Sequence, residues 1–195
     1  MNHAVFEYWK TKILKGMGIN FIELSIEDWI VIFLALDNYK GVDSRQKLHT
    51  MLFLYPLINV AFKPTFMGVF SLEIEKAFKK LIDTGYIEKS YTYNGGETSY
   101  KYILSEKGRN RAKILISLLS KKWVFDSKRC ILKRGENAIT ELESIKKAHL
   151  SKSNLALLNV VIKKVLEKPI GKLLIDAEQK EIVREVKIIL ERRRV

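Results

Sequence analysis

"YTYNGGETSYKYILSEKG" occupies residues 91–108, and its reading decides the fold. Asn94-Gly95-Gly96-Glu97 is a turn signal, because Asn and Gly tolerate the positive φ of a tight hairpin. Tyr91 and Tyr93 lie before the turn and Tyr100 and Tyr102 after it, each alternating with polar residues at the period of a strand. An isolated two-stranded hairpin is marginal in water. In a chain that otherwise carries helical periods, it either lies on a partner or covers a core. The alternation itself favours cross-strand packing of the tyrosines over stacking on bases or sugars.

Working outward, Ser25 with Asp28 three residues on has the pattern of a capping box. It opens "IEDWIVIFLALDNY", which is apolar on nearly every side from Trp29 to Leu36 and so predicts a central, buried helix. Gly41 closes that region. Asp43 or Ser44 starts "RQKLHTMLFLY", with Leu48, Met51, Leu52 and Tyr55 on one face, and the helix stops before Pro56. Residues 61–71 hold Pro64 and Gly68 and no helical period, and read as a loop or short extended strand. Ser71 caps a third helix, in which Ile74, Ala77, Phe78, Leu81 and Ile82 share a face and Gly85 is the C′ residue. The hairpin spans 86–105. A helix follows with Ala112, Leu115, Ile116 and Leu119 inward, running to about Trp123.

Three helices, a two-stranded wing and a helix is the order of a winged helix-turn-helix. The expected fold is mainly α with a small β-hairpin wing, a winged helix-turn-helix plus a C-terminal helical extension. Residues 1–20 form an amphipathic helix with Phe6, Trp9 and Ile13 on one side, 21–123 the winged domain, and 124–195 a basic helical extension. In that extension Asn137 caps one helix, Ser153 or Asn154 opens another, and Lys168-Pro169-Ile170-Gly171 is a break. Ile175, Ile182 and Ile189 recur every seven residues with Val186 between, the pattern of a pairing helix and hence of a homodimer. The alternative is that these helices fold back on their own chain.

"SRQKLHTMLFL" followed by "FKPTFMGVFSLEIEKAFKKLIDTGYIEK" resembles the YwgA-like winged-helix proteins of bacteria and archaea. Their aromatic-Gly-Pro-Tyr-Ser segment is matched by Phe66, Gly68, Val69, Phe70 and Ser71, with Val69 in place of Pro and Phe70 in place of Tyr. "YILSEKG" is similar to the Leu-Thr-x-x-Gly close of PadR-like and MarR-like wings. The resemblance covers roughly residues 25–120. It implies a DNA-binding regulator or, in some members, a winged helix that binds protein.

Charge points to a polyanion. The formal balance is +13. Residues 21–104 hold nine basic and ten acidic side chains, residues 105–195 hold 23 and 11, and residues 105–134 alone hold ten and two. A surplus clustered in this way is the footprint of nucleic acid. The third helix, as the recognition helix, offers Lys76, Lys79 and Lys80 outward, but also Glu73, Glu75 and Asp83. Its two glutamates are explained by the helix macrodipole. Lys101 lies on the wing. Most backbone contacts are expected from Lys107, Arg109, Arg111, Lys113, Lys121, Lys122, Lys128, Arg129, Lys133 and Arg134, where cations interleave with Trp123, Phe125 and Ile131. Double-stranded DNA is thus the expected partner, in a transcriptional regulator or chromosome-organising factor. A protein-interaction scaffold is the alternative.

Other classes fit poorly. No apolar run reaches the ~18 residues of a membrane helix, and residues 1–18 lack a secretory h-region. With one cysteine, Cys130, the expected location is cytoplasmic. His3, His49 and His149 form no metal pattern with Cys130. "KGMGINF" is not a phosphate loop. No cofactor and no enzymatic activity are expected, and His49 reads as a core residue. Abundant Ile, Lys and Glu, with Gln only at positions 46 and 179, hint at a thermophile.

Overall fold

The computed structural model describes residues 3–94 and 97–167. The chain runs α1 (His3–Gly16), β1 (Phe21–Ile22), α2 (Ile26–Tyr39) and α3 (Arg45–Leu54). Next come β2 (Lys63–Thr65), β3 (Gly68–Phe70), α4 (Leu72–Asp83), β4 (Ile87–Asn94) and β5 (Glu97–Leu104). The described part ends with α5 (Glu106–Leu119), β6 (Trp123–Asp126), β7 (Ile131–Arg134), α6 (Gly135–His149) and α7 (Asn154–Glu167).

Helix α2 is the axis. Every residue from Trp29 to Asp37 is buried, as an apolar circumference demands. The capping box forms: Ser25 Oγ accepts the Asp28 N–H at 3.1 Å, and the Asp28 carboxylate accepts the Ser25 N–H at 3.2 Å. Helices α4, α5 and α6 pack on α2, and α3 packs on α6 and α7. One core therefore runs from Trp29 through Leu142 to Val161. Helices α6 and α7 do fold back on their own chain. Tyr55 Oη ties α3 to α6 by donating to the Ala138 carbonyl at 2.9 Å.

The end of α2 lies inside that core and needs donors for its last carbonyls. Lys146 of α6 supplies them. Its side chain is fully buried, and Nζ donates to the carbonyls of Phe33 (2.9 Å), Leu34 (3.2 Å) and Leu36 (2.7 Å). The ammonium also lies 5.2 Å from the Phe33 ring centroid. Burial pulls the Lys146 pKa down to about 7, against the opposing fields of Asp37 and Glu143. Three accepted bonds require three N–H groups, so this geometry belongs to the protonated form.

Beyond Ala35 the chain turns sharply. Leu36 is extended, and Asp37, Asn38 and Tyr39 are left-handed at φ 52°, 56° and 58°. Such a conformation costs roughly 1–2 kcal/mol per residue. It is held by the Asp37 N–H donating to Glu143 Oε1 at 3.3 Å, by the Lys40–Asp37 pair at 3.1 Å, and by the Arg109 guanidinium over the Tyr39 ring. The turn delivers Gly41 and Val42 to the hairpin. Val42 and Tyr102 exchange backbone hydrogen bonds at 3.0 and 2.8 Å, an antiparallel bridge alongside β5. Any Cβ at Gly41 would collide with the Tyr102 carbonyl and the Ile103 side chain.

The described residues are mostly helical, as expected, but they form three small sheets, which corrects the expectation of a single hairpin. Residues 123–134, expected to be helical, form β6 and β7. Their turn is set by Asp126, whose Oδ1 accepts the N–H groups of Lys128 and Arg129, and by Cys130 at φ 54°. Strand β1 pairs parallel with β6 and completes that sheet. Helix α5 accordingly stops at Leu119, short of Trp123. Residues 63–70, read as loop or extended strand, are the β2–β3 hairpin, and Gln46 Nε2 holds it by donating to the Val69 carbonyl at 3.0 Å. No helix among the described residues is long and apolar enough to cross a membrane.

Lys146→Met leaves three buried carbonyls without a donor. We expect a loss of about 3 kcal/mol or more in urea unfolding, whereas Lys147→Met, one residue on, removes only an exposed pair with Glu143 and shifts the midpoint only slightly. Gly41→Ala is expected to lose about 1–3 kcal/mol from the collision with Tyr102, read in the same titration.

Candidate nucleic-acid interface

Two acids of helix α4, the helix expected to be the recognition helix, are turned to internal work. Glu75 takes the Arg45 guanidinium of α3 and lies 3.3 Å from His49 Nε2. Glu73 Oε1 accepts the Ala61 N–H at 3.3 Å. His49 is buried and stacks on Phe70 with ring centroids 5.0 Å apart. Its Nδ1 accepts the Ser71 N–H at 3.1 Å, so the ring proton sits on Nε2 and is donated to Glu75. Burial holds the His49 pKa below its ordinary value, outweighing the upward pull of Glu75. Ser71 stands at the N-cap, but its hydroxyl makes no cap bond and has no partner among the described residues.

With Glu75 engaged, the outward face of α4 carries Lys76 and Lys79, which form no ion pair among the described residues, Lys80, paired with Glu27 at 3.0 Å, and the exposed acids Glu73 and Asp83. Lys101 is exposed on β5.

Several cations after the hairpin are committed to the fold. Lys107 Nζ donates to the Thr84 carbonyl at the end of α4 (3.0 Å) and lies 4.4 Å from the Tyr86 ring centroid. Arg109 Nε donates to the Leu104 carbonyl at 3.3 Å. Arg111 pairs with Asp28 at 2.7 Å and covers Tyr86. Arg129 pairs with Asp126 at 2.6 Å, and Lys133 with Glu141 at 2.5 Å. Arg134 lies 5.5 Å from the Trp123 ring centroid. By contrast, Lys113, Lys121, Lys122 and Lys128 have no side-chain partner among the described residues. Lys121, Lys122 and Arg134 come together around a cleft of about 290 Å³ beside the start of α6.

The structure therefore separates the expected contact residues into a free set and a structural set, which a charge count does not distinguish. The partners of the structural set have a legible signal only at short range, such as Asp126 three residues before Arg129. The expected dimerisation residues Ile175, Ile182, Val186 and Ile189 lie outside the described residues, as does the Phe6 side chain. Trp9 and Ile13 of α1 are about half exposed. No group of three metal-ligating side chains occurs among the described residues.

Tyr102, Tyr100 and Tyr91 are in ring contact along the hairpin, as the alternation predicts, but only the first is buried. Tyr102 is buried, in edge-on contact with Phe78 at 5.0 Å, but Tyr91, Tyr93 and Tyr100 stand in solvent. The outer strands extend past the helices, so alternation there has no core to face.

No protein-family model, curated protein or solved structure matches the chain.

The imidazole geometry generates a pH dependence. The unfolded chain takes up a proton on His49 near pH 6.5, and the folded chain does so only at lower pH. Stability therefore falls as pH drops below about 6.5. His149, depressed by burial and then by Lys152 and Lys164, adds with the same sign. In urea titrations from pH 7.5 to 5, His49→Asn is expected to lower the midpoint overall and to flatten the pH slope, and His149→Gln to flatten it further, leaving near pH 7 the slope of Lys146, whose lowered pKa acts with the same sign.

Proposed function

We propose that the chain is a winged-helix protein that binds double-stranded DNA, largely through its phosphate backbone. The order α2, Val42 bridge, α3, α4, β4–β5 supports the winged-helix reading, with the β2–β3 hairpin inserted between the two helices of the helix-turn-helix. One observation carries the DNA reading. The Glu75 carboxylate of α4 is turned to Arg45 and His49, which leaves Lys76 and Lys79 of its outward face without an ion pair among the described residues, beside the exposed Glu73 and Asp83. Lys101 on the hairpin and Lys113, Lys121, Lys122 and Lys128 beyond it extend the cationic set. Arg and Lys at phosphates give position and affinity without sequence readout. The role that fits is a regulator or chromosome-organising factor, with self-association through residues beyond the described part.

A protein-docking role is the second reading, and a different observation favours it. Phe66 is 92% exposed at the β2–β3 tip, and Met67 of the same tip and Leu72, the first residue of α4, are also exposed. Exposed apolar side chains on this hairpin and at the start of α4 suit a protein partner better than phosphate.

The test is duplex binding across a salt series. The wild-type affinity should fall steeply with salt, and the triple substitution Lys76→Ala, Lys79→Ala, Lys101→Ala should reduce the log–log slope by about 2 to 3. A wild-type chain that ignores duplex DNA at low salt, or a triple variant with an unchanged slope, sinks the reading. Phe66→Ser tests the docking alternative and should leave DNA binding unaltered.

A further inference from the structure

The β4–β5 hairpin presents an aromatic ladder that backbone contacts do not use. Strand alternation and the register place Lys89, Tyr91 and Tyr93 of β4 and Thr98, Tyr100 and Tyr102 of β5 on one face, a set without an acid. The face is continuous with the core at its root, where Ile87, Leu104 and Tyr102 are buried. From there exposure climbs along the ladder: Tyr102 3%, Tyr100 40%, Tyr91 58%, Tyr93 79%. The rings remain coupled, Tyr102 to Tyr100 edge-on at 5.6 Å and Tyr100 to Tyr91 tilted at 6.3 Å. Lys89 Nζ lies 5.1 Å from the Tyr100 centroid, a cation among the rings.

Three exposed aromatic rings in a row, anchored at one end, are costly to leave in water unless something covers them. Their chemistry selects the occupant. Tyrosine offers a flat π-face with a solvated hydroxyl, and bases of any sequence stack on such faces. Lys89 on the face and Lys101 on the opposite one supply cations for phosphates, in a chain of net charge +13. A paired duplex does not offer its base faces, because they are stacked on one another. An unpaired strand does.

We propose that the outer face of β4–β5 is a stacking platform for unpaired nucleobases, so that the chain takes single-stranded or locally melted nucleic acid as well as duplex. The proposal rests on the nucleic-acid reading only in taking the partner to be a polyanion. It uses different residues and a different contact.

The experiment compares fluorescence anisotropy of a labelled dT20 strand and a labelled 20-base-pair duplex with the full chain. Three proteins are compared: wild type, the triple variant Tyr91→Ala, Tyr93→Ala, Tyr100→Ala, and the matching triple Phe variant. The Ala variant should bind dT20 at least about tenfold more weakly while its duplex affinity changes less than twofold. The Phe variant, which keeps the rings, should bind dT20 like wild type and guards against a misfolded hairpin. Equal dT20 binding by wild type and the Ala variant overturns the platform and leaves the duplex reading standing. Tyrosine-dependent dT20 binding without duplex binding does the reverse. Ala substitutions that instead shift the sedimentation mass would assign the face to a second copy of the chain, and also overturn the platform.

Discussion

The arrangement depends on one buried ammonium at the end of one buried helix. Because α2 is apolar all round, it can be satisfied only by neighbours on every side, and its terminal carbonyls then have no access to water. Lys146 answers three of them at once. With those carbonyls satisfied, the chain can leave α2 through a left-handed turn, and that turn sets the approach of Gly41 and Val42 to Tyr102. The position of the hairpin relative to the helices follows from that approach. A change at the α2–α6 contact therefore reaches the hairpin through the backbone.

Lys146 is one case of a wider use of cations. Lys164 Nζ donates to the Leu54 carbonyl at the end of α3 (2.8 Å), and Lys107 to the Thr84 carbonyl at the end of α4. Each places a positive charge at the negative end of a helix dipole. Three lysines of the basic half of the chain thus close three helices of the near-neutral half. Part of the lopsided charge distribution is internal architecture, and only the remainder is available to a partner.

Much of the frame is legible in the amino-acid sequence. The capping box at Ser25 and Asp28, the all-apolar run of α2, the single-faced stripe of α4 and the strand alternation of β4 and β5 are local signals, decided within a few residues. What is not legible depends on distant partners. Strand β1 has two residues and exists only because β6 lies beside it, some hundred positions later in the chain. Residues 123–134 carry cations at spacings compatible with either helix or strand, and the Asx turn at Asp126 decides for the hairpin. Lys146 shares the last turn of its helix with Lys147 and His149, and has no sequence mark to separate it from its solvated neighbour. The tyrosines illustrate a subtler limit. Alternation says which residues share a face, but not how far that face extends beyond the core.

Biosynthesis delivers Lys146 late. Its three acceptors lie 110 to 113 positions earlier in the chain. A ribosome releases the N-terminal part first, so α2 emerges long before the side chain that finishes its far end. Until then the nascent polypeptide carries a hydrophobic segment with a ragged terminus, a natural client for a chaperone. Native topology closes only when residue 146 clears the exit tunnel, so the core is completed well after α2 is made.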